Sequence, residues 1–256
     1  MKKSYLIALK SILCKEVMRF TRIWGQTLVP PIITMILYFI IFGNLIGSKI
    51  GNIHGFSYME FIIPGMIMMS VITNAYSNVA SSFFSAKFQK NIEELLIAPV
   101  PAYIIIFGYI GGGIIRAIFV GSLVTTVSLC FFAIHIQKYI ITIIILILTS
   151  ILFSLAGLLN GIFAKNFDDI SIIPTFILTP LTYLGGVFYS LNLLPVFWQK
   201  ISQLNPVVYM VNGFRYGFLG ITDVSIFLSF SIMIFIIFVL YIIAWYCIKI
   251  SWNLKN

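Results

Sequence analysis

The chain has 256 residues, of which 61% are hydrophobic and 9% charged, with a formal net charge of +9 and a mean hydropathy of +1.08. A soluble fold of this length cannot hide so much apolar surface, which places the chain among polytopic membrane proteins. Most Lys and Arg sit in short segments flanking apolar runs, where they set topology and contact anionic headgroups; this excludes a basic domain for nucleic acid.

Residues 4–22 read as an amphipathic helix in the membrane interface and not as a cleavable signal. Leu6, Leu9, Leu13, Val17 and Phe20 form its apolar stripe, and Lys10, Lys15, Arg19 and Arg22 are expected to stay in water. Six spans are predicted near 25–47, 60–84, 102–133, 139–163, 171–188 and 225–248, since about 20 apolar residues cross the hydrocarbon. The fifth is the shortest, and Pro174 and Pro180 predict a kink in it. The expected fold class is therefore an all-α polytopic membrane protein, a single transmembrane domain over 1–256.

Orientation follows from basic residues. With the N-terminus inside, Lys2, Lys3, Lys10, Lys15, Arg19, Arg22, Lys87, Lys90, Lys165, Lys249 and Lys255 are inner, against Lys49, Lys138, Lys200 and Arg215 outside. This excess predicts both termini on the cytoplasmic side.

Between the second and third spans lies KFQKNIEELLIAPVP, Lys87–Pro101. On one helix over 85–100, Phe88, Ile92, Leu95 and Leu96 share a face, while Lys87, Lys90, Glu93 and Glu94 fall on others. Pro99 and Pro101 stop the helix. A solvated linker needs no apolar stripe, so a docking element is expected; lipid, the chain itself and a partner compete for that stripe.

Residues 189–222 hold Phe197, Trp198, Tyr209, Phe214, Tyr216 and Phe218 among Pro195, Pro206, Gly213, Gly217 and Gly220. The piece 206–222 is short, carries Asn212 and Arg215, and as a seventh span would put the C-terminal lysines outside. Short helices at, or dipping into, the outer interface are predicted instead.

No catalytic, nucleotide or metal motif is present. Gly111-Gly112-Gly113 is followed by Ile114-Ile115-Arg116, and no Gly-Lys pair occurs. His54 and His135 stand without a ligand cluster, and Cys14, Cys130 and Cys247 are far apart. The predicted spans carry no carboxylate at mid-depth: Glu60 and Asp223 lie at outer ends, and Asp168 and Asp169 precede the fifth span, where a carboxylate caps a helix or meets a partner. The one deep charge is Arg116. Two readings stand for it, a contact for an anionic substrate or a structural partner of polar groups on another helix. Gly108, Gly111, Gly112 and Gly113 predict close approach of a neighbouring helix.

The runs NIEELLIAPVPAYIII (91–106), LNPVVYMVNGFRYGF (204–218) and FSLAGLLNGIFAKNFDDISIIPTFILTPLTYLGGVFYSL (153–191) resemble the permease subunit of type-two ATP-binding-cassette exporters. The resemblance covers essentially the whole chain and is strongest to the small inner-membrane permeases of Gram-negative bacteria. It implies a pair of permeases, most simply a homodimer in membrane lipid, and two cytoplasmic ATPase subunits that carry the ATP and magnesium. It implies that the helix with Glu93 and Glu94 is a coupling helix, comprising Phe88, Ile92, Glu93, Glu94, Leu95, Leu96 and Pro99. It also implies an outer gate that includes Asn205, Pro206 and Arg215, and an amphiphilic lipid-, glycan- or drug-like cargo. The rival readings are an ion-coupled carrier, which lacks a titratable mid-membrane group other than Arg116, a membrane-embedded lipid- or glycan-modifying enzyme, and a non-transporting anchor for an ATPase.

Overall fold

The computed structural model describes residues 2–46, 51–53, 55–97, 100–132 and 136–250. Its helices in chain order are α1 (Lys2–Arg22), α2 (Trp24–Thr27), α3 (Val29–Tyr38, continued as a π-helical stretch Phe39–Ile46), α4 (Tyr58–Phe88), α5 (Asn91–Ile97), α6 (Ala102–Phe131) and α7 (Tyr139–Phe163). There follow α8 (Phe167–Ile173), a π-helical turn Pro174–Leu178, α9 (Thr179–Tyr183), α10 (Val196–Gln203), α11 (Pro206–Leu219) and α12 (Ile226–Lys249). A two-residue antiparallel pair, β1 (Asn52–Ile53) with β2 (Phe56–Ser57), leads into α4. The end of the bundle bearing α5 is termed basal and the opposite end apical.

Among the described residues, five helical segments are long and apolar enough to cross a membrane: Trp24–Gly43, Tyr58–Phe88, Ala102–Phe131, Tyr139–Phe163 and Ile226–Lys249. The expected fifth span is a broken rod from Phe167 to Tyr183. Its π-turn begins at Pro174, and Thr179 N–H bonds to the Pro174 carbonyl. Proline removes the ordinary i→i−4 donor, so the predicted kink takes the form of a wider turn.

Helix α4 is central. It packs on α6 and α7 and also touches α11, and 78% of its most apolar stretch is buried, against 11% for α12. A capping box starts it: Ser57 Oγ accepts from Glu60 N–H, and the Glu60 carboxylate accepts from Ser57 N–H. Two apolar clusters fill the bundle. The apical one gathers Met35, Phe39, Phe61, Val187 and Phe214, and the basal one Ile12, Phe83, Ile106, Tyr109 and Cys247.

The first helix departs from a wholly wet polar face. Ile12, Glu16 and Phe20, spaced i, i+4, i+8, are buried, while Leu6 and Met18 of the neighbouring faces are exposed. A methyl group on Gly108 would overlap Ile12, and one on Gly112 would overlap Glu16. The two helices thus run side by side in the same direction, at a distance only glycine permits. Lys10, Lys15 and Arg22 stay exposed as expected, but Arg19 turns inward.

Helix α11 reads polar at Asn212 and Arg215, yet both are buried along with nearly all its other side chains. It dips into the bundle among α4, α7 and α12. Helix α10 leaves Val196, Phe197, Trp198 and Ile201 exposed, the pattern of a helix at a membrane surface.

Candidate functional site

A polar layer crosses the bundle where the two apolar clusters meet. Arg116 lies midway along the 30-residue α6. Its Nε and Nη2 donate to Asn74 Oδ1 at 3.3 and 2.9 Å, and its Nη1 donates to Asn78 Oδ1 at 3.3 Å. The two asparagines are one turn apart on α4, so a single helix face presents both oxygens. Arg19 of α1 reaches the same Asn78, donating from Nη2 to its Oδ1 at 2.8 Å and its carbonyl at 2.7 Å.

Glu16 completes the layer. It is fully buried, accepts from Ser82 Oγ and pairs with Arg19 at 3.7 Å. Burial pushes its carboxyl above the ordinary range, with the Ser82 hydroxyl and the charges of Arg19 and Lys15 opposing. Glu16 and Arg19 thus form an ion pair within the layer. On its α4 side Arg116 is a partner of polar groups on another helix, and its other side opens on a cavity.

That cavity, about 310 Å³, lies between α2–α3 and α4, with Arg116 in its lining. Pro30, Pro31, Met35, Met66 and Met69 form apolar wall; Ser70, Thr73 and Asn74 add polar groups. Tyr38 stands in the lining too, with its hydroxyl 3.3 Å from that of Tyr183. Phe188 stacks on Tyr183 at 5.8 Å and meets Tyr38 edge-on at 5.9 Å, joining α3 to the end of α9.

At the basal end, the expected single helix over 85–100 is two. Helix α4 ends at Phe88, and Lys90 takes a left-handed backbone (φ 62°) before α5 begins at Asn91. Phe88 therefore belongs to α4, where it meets Phe84 at 6.1 Å and Phe167 at 5.1 Å, and it does not share a face with Ile92. Ile92 is buried, and Leu95 packs beside it on the basal cluster. Of the predicted stripe, Ile92 and Leu95 thus cover the chain itself. Glu93 is half-buried, Glu94 exposed, and Ile97 is 84% exposed. Pro99, His54, His135 and the side chain of Leu96 lie outside the described residues.

The apical residues are bound to structure. Asn205 caps α11, its Oδ1 accepting from Val207 N–H at 3.0 Å and its Nδ2 donating to the Leu181 carbonyl at 2.7 Å. Pro206 is the first residue of that helix, where its missing N–H is harmless. Arg215 is 1% exposed. It donates to the carbonyls of Phe61, Gly186 and Val187, and its guanidinium lies 3.9 Å from the Phe61 ring centre. Asp169 Oδ2 accepts from the N–H groups of Lys165 and Asn166 at 2.8 and 3.1 Å, which holds its carboxyl below the usual range; it caps α8, and Asp168 sits in the same first turn. Among the described residues no group of three or more His, Cys, Asp or Glu lies together.

Sequence reasoning missed Glu16, Asn74, Asn78 and Ser82. The signal present was the Asn74/Asn78 pair at one-turn spacing inside an apolar run, placed a similar depth from its helix end as Arg116.

Known proteins match this sequence. Residues 7–219 match the model of the family described as "ABC-2 type transporter". The chain is 65% identical over 252 residues, 98% of both chains, to the inner membrane transport permease YadH of Escherichia coli (strain K12). It is 22% identical over 210 residues to nodulation protein J of Rhizobium leguminosarum bv. viciae, covering 82% of this chain and 81% of that one. For nodulation protein J of Rhizobium meliloti (strain 1021) the identity is 21% over 186 residues, 72% of this chain and 71% of that one. With most of its length matched by the family and nearly all of it by the first of these relatives, this multi-pass membrane protein belongs to the ABC-2 type transporter family as a permease.

Proposed function

We propose that the chain is the membrane half of an ATP-driven exporter in the bacterial inner membrane, moving an amphiphilic lipid-, glycan- or drug-like cargo outward. Two copies pair around the path, and two copies of a separate ATPase dock on the basal, cytoplasmic side with their ATP and magnesium. This chain is a transport component and not itself an enzyme. Both termini are cytoplasmic, and residues 171–188 serve as the fifth of six crossings, with Asp168 and Asp169 ahead of it on the cytoplasmic side.

The observation that carries this reading is the build of α5. Ile92 and Leu95 anchor it to the bundle, while Glu94 and Ile97 face outward. Such a helix, fixed on one side and presenting charge on the other, transmits a push from a docked partner to α4 and α6. We assign Phe88, Ile92, Glu93, Glu94, Leu95, Leu96 and Pro99 to this coupling region, Arg116 to the cargo path, and Asn205, Pro206 and Arg215 to the frame of the outer gate. ATP binding shifts the permease pair between inward- and outward-favouring states only by its differential affinity for them.

The test is purification of the tagged native complex in mild detergent, with subunit stoichiometry and ATP hydrolysis read on the product. One ATPase copy per permease is expected, with both association and hydrolysis lost when Glu93→Lys and Glu94→Lys are combined, and membrane insertion unchanged. A permease recovered alone, even after crosslinking in intact membranes, overturns the reading.

A further inference from the structure

The polar layer does not balance its charge. It holds two guanidinium groups, Arg19 and Arg116, and one carboxylate, Glu16. That carboxylate is already engaged by Arg19 at 3.7 Å and by the Ser82 hydroxyl. Arg116 has only amide oxygens as described partners, Asn74 Oδ1 and Asn78 Oδ1. These orient a cation without neutralising it.

A guanidinium carries five N–H groups. Three of those on Arg116 are spent on the asparagines, which leaves one on each terminal nitrogen. Two donors on one planar fork match two oxygens of a phosphate or carboxylate. Two neighbours on α4 are already committed: the Thr73 hydroxyl donates to the Met69 carbonyl at 2.9 Å, and Asn74 Nδ2 donates to the Ser70 carbonyl at 3.0 Å. Pro30, Pro31, Met35, Met66 and Met69 give the cavity an apolar stretch of wall, and Gln26, Thr27, Thr34, Ser70 and Ser77 line the remainder with neutral polar groups.

We infer that the cavity between α3 and α4 takes the anionic headgroup of an amphiphile, with Arg116 as its counter-charge and the proline–methionine wall against its apolar portion. The inference rests on the transport reading for its meaning, since it names the class of cargo, but its binding chemistry is tested separately. A charge-assisted, two-donor contact predicts roughly 10- to 100-fold selectivity over a neutral head of similar size.

The experiment uses the purified full-length permease in neutral dodecyl maltoside micelles. Dodecyl phosphate, dodecyl trimethylammonium and inorganic phosphate are titrated separately, and occupancy is read from the thermal unfolding midpoint. Dodecyl phosphate is expected to saturate at low mole fraction, with neither of the others matching it. Arg116→Gln raises its half-saturating fraction at least about tenfold, and Arg116→Lys by less. Thr73→Asp leaves Arg116 and both asparagines in place and adds a carboxylate to the same wall. It too has to weaken dodecyl phosphate about tenfold, so the inference is tested even where Arg116→Gln does not fold.

Unchanged binding in Arg116→Gln or Thr73→Asp overturns the inference. So does equal binding of the cationic amphiphile. An equal response to inorganic phosphate overturns the amphiphile and leaves a small-anion site. Loss of ATPase association with intact dodecyl phosphate binding removes the transport reading and leaves the site; the reverse result removes the site alone.

Discussion

Two arginines inside this bundle are held in opposite ways. Arg215, at the apical end, donates from Nε and Nη2 to three backbone carbonyls and lays its face on Phe61. Arg116, at mid-bundle, rests on two side-chain amides and borders a cavity. Backbone carbonyls cannot leave without moving their helix or loop, so Arg215 fastens α11 to the start of α4 and to the turn at Gly186. Side-chain amides can turn, and a cavity can admit a ligand. Burial of a charge is therefore a poor guide to function by itself; what the charge is bonded to decides between a rivet and a site.

The largest expected effect follows from breaking the rivet. Arg215→Met keeps a long side chain but takes the charged donors away from the carbonyls of Phe61, Gly186 and Val187, at a cost of about 3–5 kcal/mol. Arg116→Gln still reaches an asparagine and removes a charge that lacks a counter-ion, so its cost is under about 1 kcal/mol. Thermal unfolding of both variants in the same detergent checks the pair. Equal losses would mean that Arg116 is a rivet too.

A middle-sized effect is expected at Glu16, which stands between the two cases. Its partner Ser82 is a side chain on α4, and Arg19 links it to the layer beside Arg116. Glu16→Gln leaves Arg19 without a counter-charge and costs about 1–2 kcal/mol. Adding Arg19→Gln recovers part of this, with a coupling of about 1 kcal/mol. Strict additivity in the double-variant cycle shows that the pair contributes nothing to docking α1.

The contrast also explains what the sequence made legible. Long apolar runs located α4, α6, α7 and α12, because hydropathy over about 20 residues is a local property. The glycines at 108, 111 and 112 announced a close neighbour, and α1 is that neighbour. The partners of Arg215 were unreadable, since backbone carbonyls carry no residue signature and lie 28 to 154 positions away. Glu16 was hidden for a similar reason: Ser82 is 66 positions distant, and a carboxylate among four cations looks like part of a wet face. The break before α5 turned on one left-handed residue, Lys90, a conformation that Gly or Asn would have signalled and Lys does not. That single turn moved Phe88 from the predicted stripe onto α4.

The smallest effect comes from moving the rivet's bonding pattern into water. Asp169, like Arg215, is a charge held by backbone groups, here the N–H of Lys165 and Asn166, but it is only half-buried and those two donors' residues are exposed. Those two bonds, in that order, lower its carboxyl below the usual range. A carboxylate whose folded value is depressed contributes above its unfolded value near 4 and loses that contribution as pH falls through the folded one. Amide exchange at Lys165 and Asn166 is therefore expected to be slower in the wild type than in Asp169→Asn at neutral pH. The two proteins converge below about pH 4, within the range where the carboxyl protonates. Because water competes for the same donors, the difference at neutral pH is confined to the first turn of α8 and leaves the unfolding midpoint unmoved. A midpoint shift as large as that of Glu16→Gln would mean that backbone bonding alone makes a rivet, with burial playing no part.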